Sequence, residues 1–320
     1  MQIATVIIPN LNGRKYLKGC LDSLMEQSRQ DFSVILVDNG SSDGSADYVE
    51  GHYPEVCVKR FPENRGFSAA VNEGIRMAKT KYVILLNNDT VCDTGFVEEL
   101  VKEMEQERGC FAGSARMVQM DAPDCMDSCG DFYCALGWAF SPAKGKPASK
   151  YEKPRRVFSA CAGAAIYRRS LLDETGLFDE AHFVYLEDVD ICWRARILGY
   201  PNWYIPGAVV RHVGSATSGS AYNEFKTHYS SQNSIYLFYK NMPWLQILLN
   251  LPFLLAGIFI KLLFFTAKGF GKEYLFGLAR GVQMCRSGRK VKFRKEHLGH
   301  YMRIQWELWV NMFRRVIDFG

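Results

Sequence analysis

Residues 3–9 form a short β-branched apolar run ended by Pro9, Asn10, Asn12 and Gly13, which predicts a buried strand feeding a turn. Behind it Tyr16, Leu17, Cys20, Leu21, Leu24 and Met25 recur at three and four with polar residues between them, the spacing of an amphipathic helix. Residues 32–37 read as a second strand, stopped by Asp38, Asn39, Gly40, Ser41, Ser42, Asp43 and Gly44. The pattern continues with a short helix over 45–53, a strand over 56–61, a helix over 67–79, a strand over 82–86 and an amphipathic helix over 98–107. Strands alternating with helices predict an α/β fold whose sheet is largely parallel with right-handed crossovers. Functional groups in such a sheet gather at the strands' carboxyl ends, and the polar clusters after the first, second and fourth strands fall there. Asn, Asp, Gly and Ser also form turns for backbone reasons alone. Three clusters at corresponding edges favour a nucleotide crevice over three unrelated turns.

The second half is harder to read, because Gly, Pro and Cys interrupt any period over 113–145. Residues 142–154, PAKGKPASKYEKP, have the composition and length of a mobile flap or acceptor loop. An apolar, small-residue stretch covers 157–167, a helical start 170–175, and a helix 187–198 that Gly199 ends. Beyond residue 240 the character changes. Residues 244–267 carry one charge, Lys261, and a central Pro252, and the uninterrupted apolar stretch is only the ten residues between Asn250 and Lys261. A spanning helix needs roughly 20. The preferred expectation is an interfacial helix or a shallow re-entrant pair, with a true span and a buried core helix as alternatives. Residues 286–295, RSGRKVKFRK, hold six positive and no negative side chains, and beside an apolar helix such a block suits an anionic membrane surface.

Composition sharpens this division. The 320 residues are 48% hydrophobic and 23% charged, which excludes a disordered chain and allows one large domain or two unequal ones. The net charge of +5 conceals a body over 1–239 with 25 Lys and Arg against 30 Asp and Glu, and a region over 240–320 with 14 against 4. An acidic body repels nucleic acid, so none is expected as a partner. The ten cysteines are scattered, which suits reduced thiols in a cytosolic setting, and the C-x3-C-x4-C of Cys125, Cys129 and Cys134 does not match the usual zinc spacings. The N-terminus lacks the basic and apolar regions of a signal peptide. The expectation is a cytoplasmic protein, peripheral on the inner face of the cell membrane.

Three places can carry chemistry. Asn87, Asn88 and Asp89 put a carboxylate and amides at a strand end, where oxygen ligands can hold Mg2+ or Mn2+ against a nucleotide diphosphate. Glu187, Asp188 and Asp190 crowd three carboxylates at a helix start. The helix dipole alone favours acids there. Mutual repulsion would also lift one pKa toward a value useful for accepting a hydroxyl proton, which makes Asp188 a candidate general base. A lone histidine such as His212 is usually structural, but beside a metal and diphosphate it becomes a candidate imidazole ligand.

Taken in order, VIIPNLNG, CLDSL, VILVDNGSSDGS, ENRGFSAAVNEGI, YVILLNNDT, AGAAIYRRSLLDETGLFDEAHFVYLEDVDICWRARILGY and RHVGS resemble the family 2 glycosyltransferases. Within them they are most similar to bacterial rhamnosyltransferases that build cell-surface polysaccharides. The resemblance covers about 3–240. It implies a GT-A fold: a mostly parallel mixed sheet flanked by helices, with a nucleotide-binding half over about 1–115 and an acceptor-binding half over about 116–239. A helical, basic, membrane-associating region over 240–320 follows. By the same resemblance Pro9, Asn12 and Asp38 meet the nucleoside, and Asn64, Arg65 and Gly66 line base and phosphates. Asn88 and Asp89 stand at the metal-binding DxD position, whose first acid is here Asn87. Asp188 matches the catalytic base, Glu187 its acceptor-orienting neighbour, and His212 a late metal or diphosphate contact, while Asp190 and Arg194 brace the helix. The implied reaction inverts configuration at the anomeric carbon. The implied donor is a nucleotide sugar, dTDP-rhamnose first and a UDP-linked hexose or galactofuranose as alternatives, and the acceptor is a glycan or lipid-linked oligosaccharide.

Two other classes compete. A nucleotidyltransferase needs a Gly-rich basic loop after the first strand, and NLNGRKYLK has a single glycine. A membrane-bound binding protein without catalysis finds footing in Asn87, but Asp38, Asp89, Asp188 and His212 together argue against it. Self-association stays open.

Overall fold

The computed structural model describes residues 2–214 and 222–317. The chain opens as β1 (Ala4–Asn10), α1 (Arg14–Met25), β2 (Phe32–Asn39), α2 (Ser45–His52), β3 (Cys57–Phe61), α3 (Phe67–Met77) and β4 (Tyr82–Leu86), the alternation that the hydrophobic pattern predicts. These four strands are parallel, in the order β4-β1-β2-β3. Successive residues of β1 serve opposite faces of the sheet. Val6 and Ile8 pack with Leu17, Leu21 and Leu24 of α1, whereas Ile7 packs with Ala70, Val71 and Ile75 of α3.

The sheet then changes character. β5 (Thr90–Cys92), α4 (Phe96–Gln106), β6 (Ala112–Gln119), β7 (Met126–Ser128), β8 (Phe132–Cys134), β9 (Trp138–Phe140), β10 (Arg155–Val157) and β11 (Ala164–Arg168) follow. After them come α5 (Arg169–Thr175), α6 (Glu187–Ile197) and β12 (Asn202–His212). The main sheet runs β10-β12-β6-β11-β4-β1-β2-β3, with β5 on β12 and β7 on β6. β11 lies antiparallel between β4 and β6, so a parallel half and a mixed half meet there. The apolar stretch over 157–167 is accordingly two strands joined by a loop. Residues 142–154, expected as a mobile flap, are packed down instead: Ala143 and Ala148 join Met126, Val157 and Tyr204 in a small core, and the Tyr204 hydroxyl donates to the Tyr151 carbonyl at 2.7 Å.

The C-terminal part consists of α7 (Glu224–Asn241), α8 (Trp244–Ala267), α9 (Gly271–Ser287) and α10 (Leu298–Ile317). The re-entrant pair expected over 244–267 is corrected to one continuous helix through Pro252. Proline removes the N–H that would bond the carbonyl of residue 248, and Leu248 is exposed to solvent; beside it a buried, reciprocal amide pair ties the helix to α10, with Asn250 donating to Gln305 at 2.7 Å and Gln305 to Asn250 at 2.9 Å. The inward stripe of α8 holds Gln246, Ile247, Asn250, Leu254, Gly257 and Phe265. Its other faces leave Trp244, Leu245, Leu248, Leu255, Phe259 and Leu263 exposed.

The basic region is less separable than its charge suggests, since α7 runs straight across residue 239. Leu237, Met242, Ile247, Tyr301, Ile304 and Leu308 share one core with Phe132, Tyr133, Phe158 and Trp193. α9 lies so close to α7 that a Cβ at Gly277 would meet Ser231 Oγ at 1.9 Å. Lys290, counted above in the basic block, points inward and donates to the carbonyls of Tyr239 and Met242, closing the C-terminal end of α7. The boundary at 239/240 thus marks a change in charge and exposure inside a shared core.

Candidate active site

The carboxyl ends of β1 and β4, the start of α6 and the end of β12 open onto one cleft of about 870 Å3. Pro9, Asn64, Gly66, Asn88, Asp89, Glu187, Asp188 and His212 all line it. Asn12, Asp38 and Arg65 do not. Asp38 is buried behind Asn10, whose amide donates to it at 2.9 Å, while the Asn10 carbonyl oxygen accepts from Asn88 at 2.7 Å. Asn10, taken from sequence as a turn former, is therefore the hub that ties the ends of β1, β2 and β4 together. Asn12 accepts from the Ser42 backbone at 2.8 Å, and Arg65 extends over the Phe61 ring at 4.9 Å. Gly66 has a φ of +86°, and a Cβ there would lie 2.6 Å from the Phe183 ring. Only glycine allows this approach of β3–α3 loop to the loop before α6.

Within the cleft Asp89 Oδ1 lies 3.3 Å from His212 Nε2, and His212 Nδ1 lies 2.7 Å from Asp127 Oδ2. Burial alone would lower the pKa of His212, but the two carboxylates outweigh it and raise it to about 9. Lys144, from the packed-down 142–154 segment, reaches the other oxygen of Asp127 at 3.1 Å. Asp127 fixes the ring so that Nε2 faces Asp89, the outer-shell arrangement of a metal-ligating histidine. Once the His212 imidazolium gives up its Nε2 proton to make way for a metal, a carboxylate oxygen and an imidazole nitrogen in the cleft fit Mn2+ or Mg2+, and two donors leave room for phosphate oxygens.

The acids of α6 line the same cleft. Asp188 accepts from the backbone N–H groups of Val189 at 2.8 Å and Ala162 at 3.2 Å, with no cation beside it among the described residues. Its pKa is raised by burial. Glu187 is pushed up to about 8, by burial first and by the charge of Asp188 second, and its Oε2 has no hydrogen-bond partner among the described residues. Asp131 joins them: it, Cys161 and Asp188 place ligand atoms within 4.8 Å of one another, and burial and Asp188 raise Asp131 to about 8. Crowding helps to lift Glu187 and Asp131, with desolvation the larger cause, whereas at Asp188, where the sequence suggested repulsion, burial raises the pKa against its backbone hydrogen bonds.

The loop that presents this pair is held in an unusual conformation, with Phe183, Tyr185 and Leu186 at φ of 58°, 71° and 66°. Buried Asn233 of α7 restrains it by donating to the carbonyls of His182, Val184 and Tyr185 at 2.8, 2.8 and 2.9 Å. Asp190, two residues beyond Asp188, points the other way. It accepts from Arg194 at 3.0 Å, Lys240 at 2.8 Å and Asn241 at 2.8 Å, and these partners hold its pKa well below the usual carboxylate range despite full burial.

Sequence reasoning missed Asn10, Asp127, Asp131 and Asn233. The two aspartates lie in the segment without periodicity, and their only signal was an acid among Cys and Gly. The ten cysteines are free thiols, and Cys129 accepts from Arg155 at 2.6 Å.

Comparison with known proteins gives the family and the fold. Residues 5–176 match the description of glycosyl transferase family 2. An N-acetylglucosaminyl-diphospho-decaprenol L-rhamnosyltransferase of Mycobacterium tuberculosis is 27% identical over 254 residues, 72% of this chain and 82% of that protein. A putative teichuronic acid biosynthesis glycosyltransferase of Bacillus subtilis is 30% identical over 129 residues, 38% of this chain and 50% of that one. Among solved structures, a GalNAc-T7 with UDP, GalNAc and Mn2+ has a TM-score of 0.60 at 15% identity, over 75% of this chain and 48% of the other. A mannosyltransferase of Pyrobaculum calidifontis in complex with GDP-Man and Mn2+ has a TM-score of 0.54 at 19% identity, over 99% and 86%.

Proposed function

From the premise that this chain belongs to glycosyl transferase family 2 and is a glycosyltransferase of the GT-A fold, we propose that it transfers a sugar with inversion from a nucleoside diphosphate to an acceptor hydroxyl. The observation that carries this reading is the presence, in the lining of one cleft, of both the cation-free acids Asp188 and Glu187 and the Asp89–His212 pair.

Asp188 takes the proton of the acceptor hydroxyl as its oxygen attacks the anomeric carbon and the bond to the diphosphate breaks. The raised pKa makes Asp188 a stronger base than an ordinary carboxylate. Glu187, protonated over much of the neutral range, orients a second acceptor group by hydrogen bonding. Asp89 and His212 would hold a divalent cation, with Asp127 orienting the imidazole. When bound, that cation supplies positive charge to the departing diphosphate. Pro9, Asn64 and Gly66 line the nucleotide side, with Asn12, Asp38 and Arg65 setting its shape from behind and beside it.

The donor we favour is dTDP-rhamnose and the acceptor a lipid-linked glycan, a reading supported by the mycobacterial relative's name. UDP-linked sugars are the alternative. The exposed apolar faces of α8 and the basic residues after it support peripheral association with the inner membrane face. By length and composition α8 could also cross a membrane, but its polar inward stripe anchors it along the body.

Thermal-shift titration with dTDP-, UDP- and GDP-sugars, with and without Mn2+, tests donor and metal together. A dTDP-sugar that raises the midpoint more with Mn2+ than alone, and releases nucleoside diphosphate with acceptor, is the expected result. No stabilisation by any nucleotide and no turnover would leave a binding protein without catalysis.

A further inference from the structure

A second concave site lies away from the catalytic cleft, between α6, β10 and α10. It is a groove of about 380 Å3 lined by Arg156, Arg196, His300, Arg303, Trp306 and Arg314, with Glu307 beside them. Arg196 is already spent on Glu307 and on the Val157 carbonyl. Arg156, Arg303 and Arg314 have no carboxylate partner among the described residues. Arg314 rests over the Phe132 ring at 5.3 Å and Arg156 over the Trp203 ring at 5.7 Å, so aromatic faces hold two of the three guanidinium groups in place.

Helical spacing says what such a groove adjoins. Arg303, Glu307, Val310 and Arg314 follow one stripe of α10. Met302, Trp306 and Phe313 form the neighbouring stripe and are 65%, 67% and 65% exposed. Arg314 also donates to Asn311 Oδ1 at 3.1 Å, and guanidinium groups without a carboxylate partner, beside an exposed apolar stripe with a tryptophan, are complementary to a phosphate whose other substituents are apolar. A nucleic acid would leave the apolar stripe in water.

We propose that this groove binds the phosphate of an anionic phospholipid headgroup, with Trp306, Met302 and Phe313 among its acyl chains. The site rests on the membrane reading above and adds to it a fixed orientation. α10 packs against α6, which carries Asp188, so a headgroup held here fixes the catalytic cleft relative to the lipid surface.

Short-chain phosphatidylglycerol, short-chain phosphatidylcholine and inorganic phosphate are titrated separately into the full chain in nonionic detergent, reading the thermal midpoint and tryptophan emission. Phosphatidylglycerol should bind saturably and raise the midpoint. R303Q/R314Q should weaken that binding about tenfold or more, since each basic group near a lipid headgroup is worth about one kcal/mol. R289Q/K292Q, in the exposed basic segment outside the groove, should leave it unchanged. Equal losses in the two double variants would overturn the proposal, because the attraction would then be diffuse. A matching shift from inorganic phosphate, lost in R303Q/R314Q, would also overturn the lipid as occupant and leave a soluble phosphate. Sedimentation with phosphatidylcholine vesicles separates the two readings: wild type and R303Q/R314Q should both sediment through α8. If neither sedimented with any vesicle, the membrane reading would fail while the groove was still judged by the titration.

Discussion

Asp188 and Asp190 are neighbours on the first turn of α6, the first half-buried in the cleft wall and the second fully buried, and their environments shift them in opposite directions. Asp188 faces the cleft with backbone N–H donors and other acids, and its pKa rises. Asp190 faces α7 with Arg194, Lys240 and Asn241, and its pKa falls. Desolvation acts upward on both, so the partner decides the sign. An acid kept free of cations is available for proton transfer, whereas an acid surrounded by them is fixed in one charge state and holds elements together. The same contrast separates the two buried acid groups. Asp131, Cys161 and Asp188 open to the cleft, while Asp179 and Asp190 share Lys240 in the interior.

The contrast breaks most sharply at its two ends. Asp188→Asn should lower kcat by about 10²- to 10⁴-fold, the range for loss of a general base, with nucleotide binding and the thermal midpoint nearly unchanged. Retention of turnover within a few fold would remove Asp188 from its role. Asp190→Ala should instead destabilise the fold by about 3–5 kcal/mol in denaturant titration, because Lys240 and Arg194 are left with an uncompensated buried charge. A loss below about 1 kcal/mol would show that water reaches the cluster. Asn233→Ala should cost about 1–3 kcal/mol, from carbonyls left unpaired under the loop, and should also slow transfer by loosening the presentation of Asp188. Wild-type rates in that variant would show that the loop keeps its conformation unaided.

The gentlest signature is the pH dependence of stability, and the two sides have opposite sign. Glu187 is raised from its ordinary 4.5 to about 8, so its contribution is fully present below about 4.5 and is lost as pH rises toward 8. Asp190 is depressed, so its contribution is present above its ordinary 3.8 and is lost as pH falls below that. Unfolding free energy measured across pH should therefore decline less on the alkaline side in Glu187→Gln and less on the acid side in Asp190→Asn. Identical pH slopes in both variants and wild type would contradict the assigned shifts.

How much of this was legible in the sequence follows from which interactions are local. The β1 to β4 alternation and the helix bearing Asp188 show as period and punctuation, because each element buries a face defined by its own residues. β7 to β10 are three residues each, too short for a period to show, and among the described residues β10 pairs only with the distant β12. Asp127 reaches His212 through the β7–β6–β12 succession, a juxtaposition across 85 residues that no spacing rule encodes. The opposite fates of Asp188 and Asp190 were hidden for a related reason: Lys240 lies 50 residues on, within a segment whose charge reads as belonging to a separate region. The apolar character of 244–267 was plain, but the amide pair that ties this helix to the body is made with Gln305, far down the chain.

The central claim is that one turn of α6 carries a chemical acid and a structural one. Turnover per folded molecule, measured side by side for Asp188→Asn and Asp190→Asn with the best-binding nucleotide sugar, tests it most directly. The account predicts a folded, nearly inactive Asp188→Asn and a less stable Asp190→Asn whose folded fraction transfers sugar within a few fold of wild type. An active Asp188→Asn beside an inactive, fully stable Asp190→Asn would contradict it.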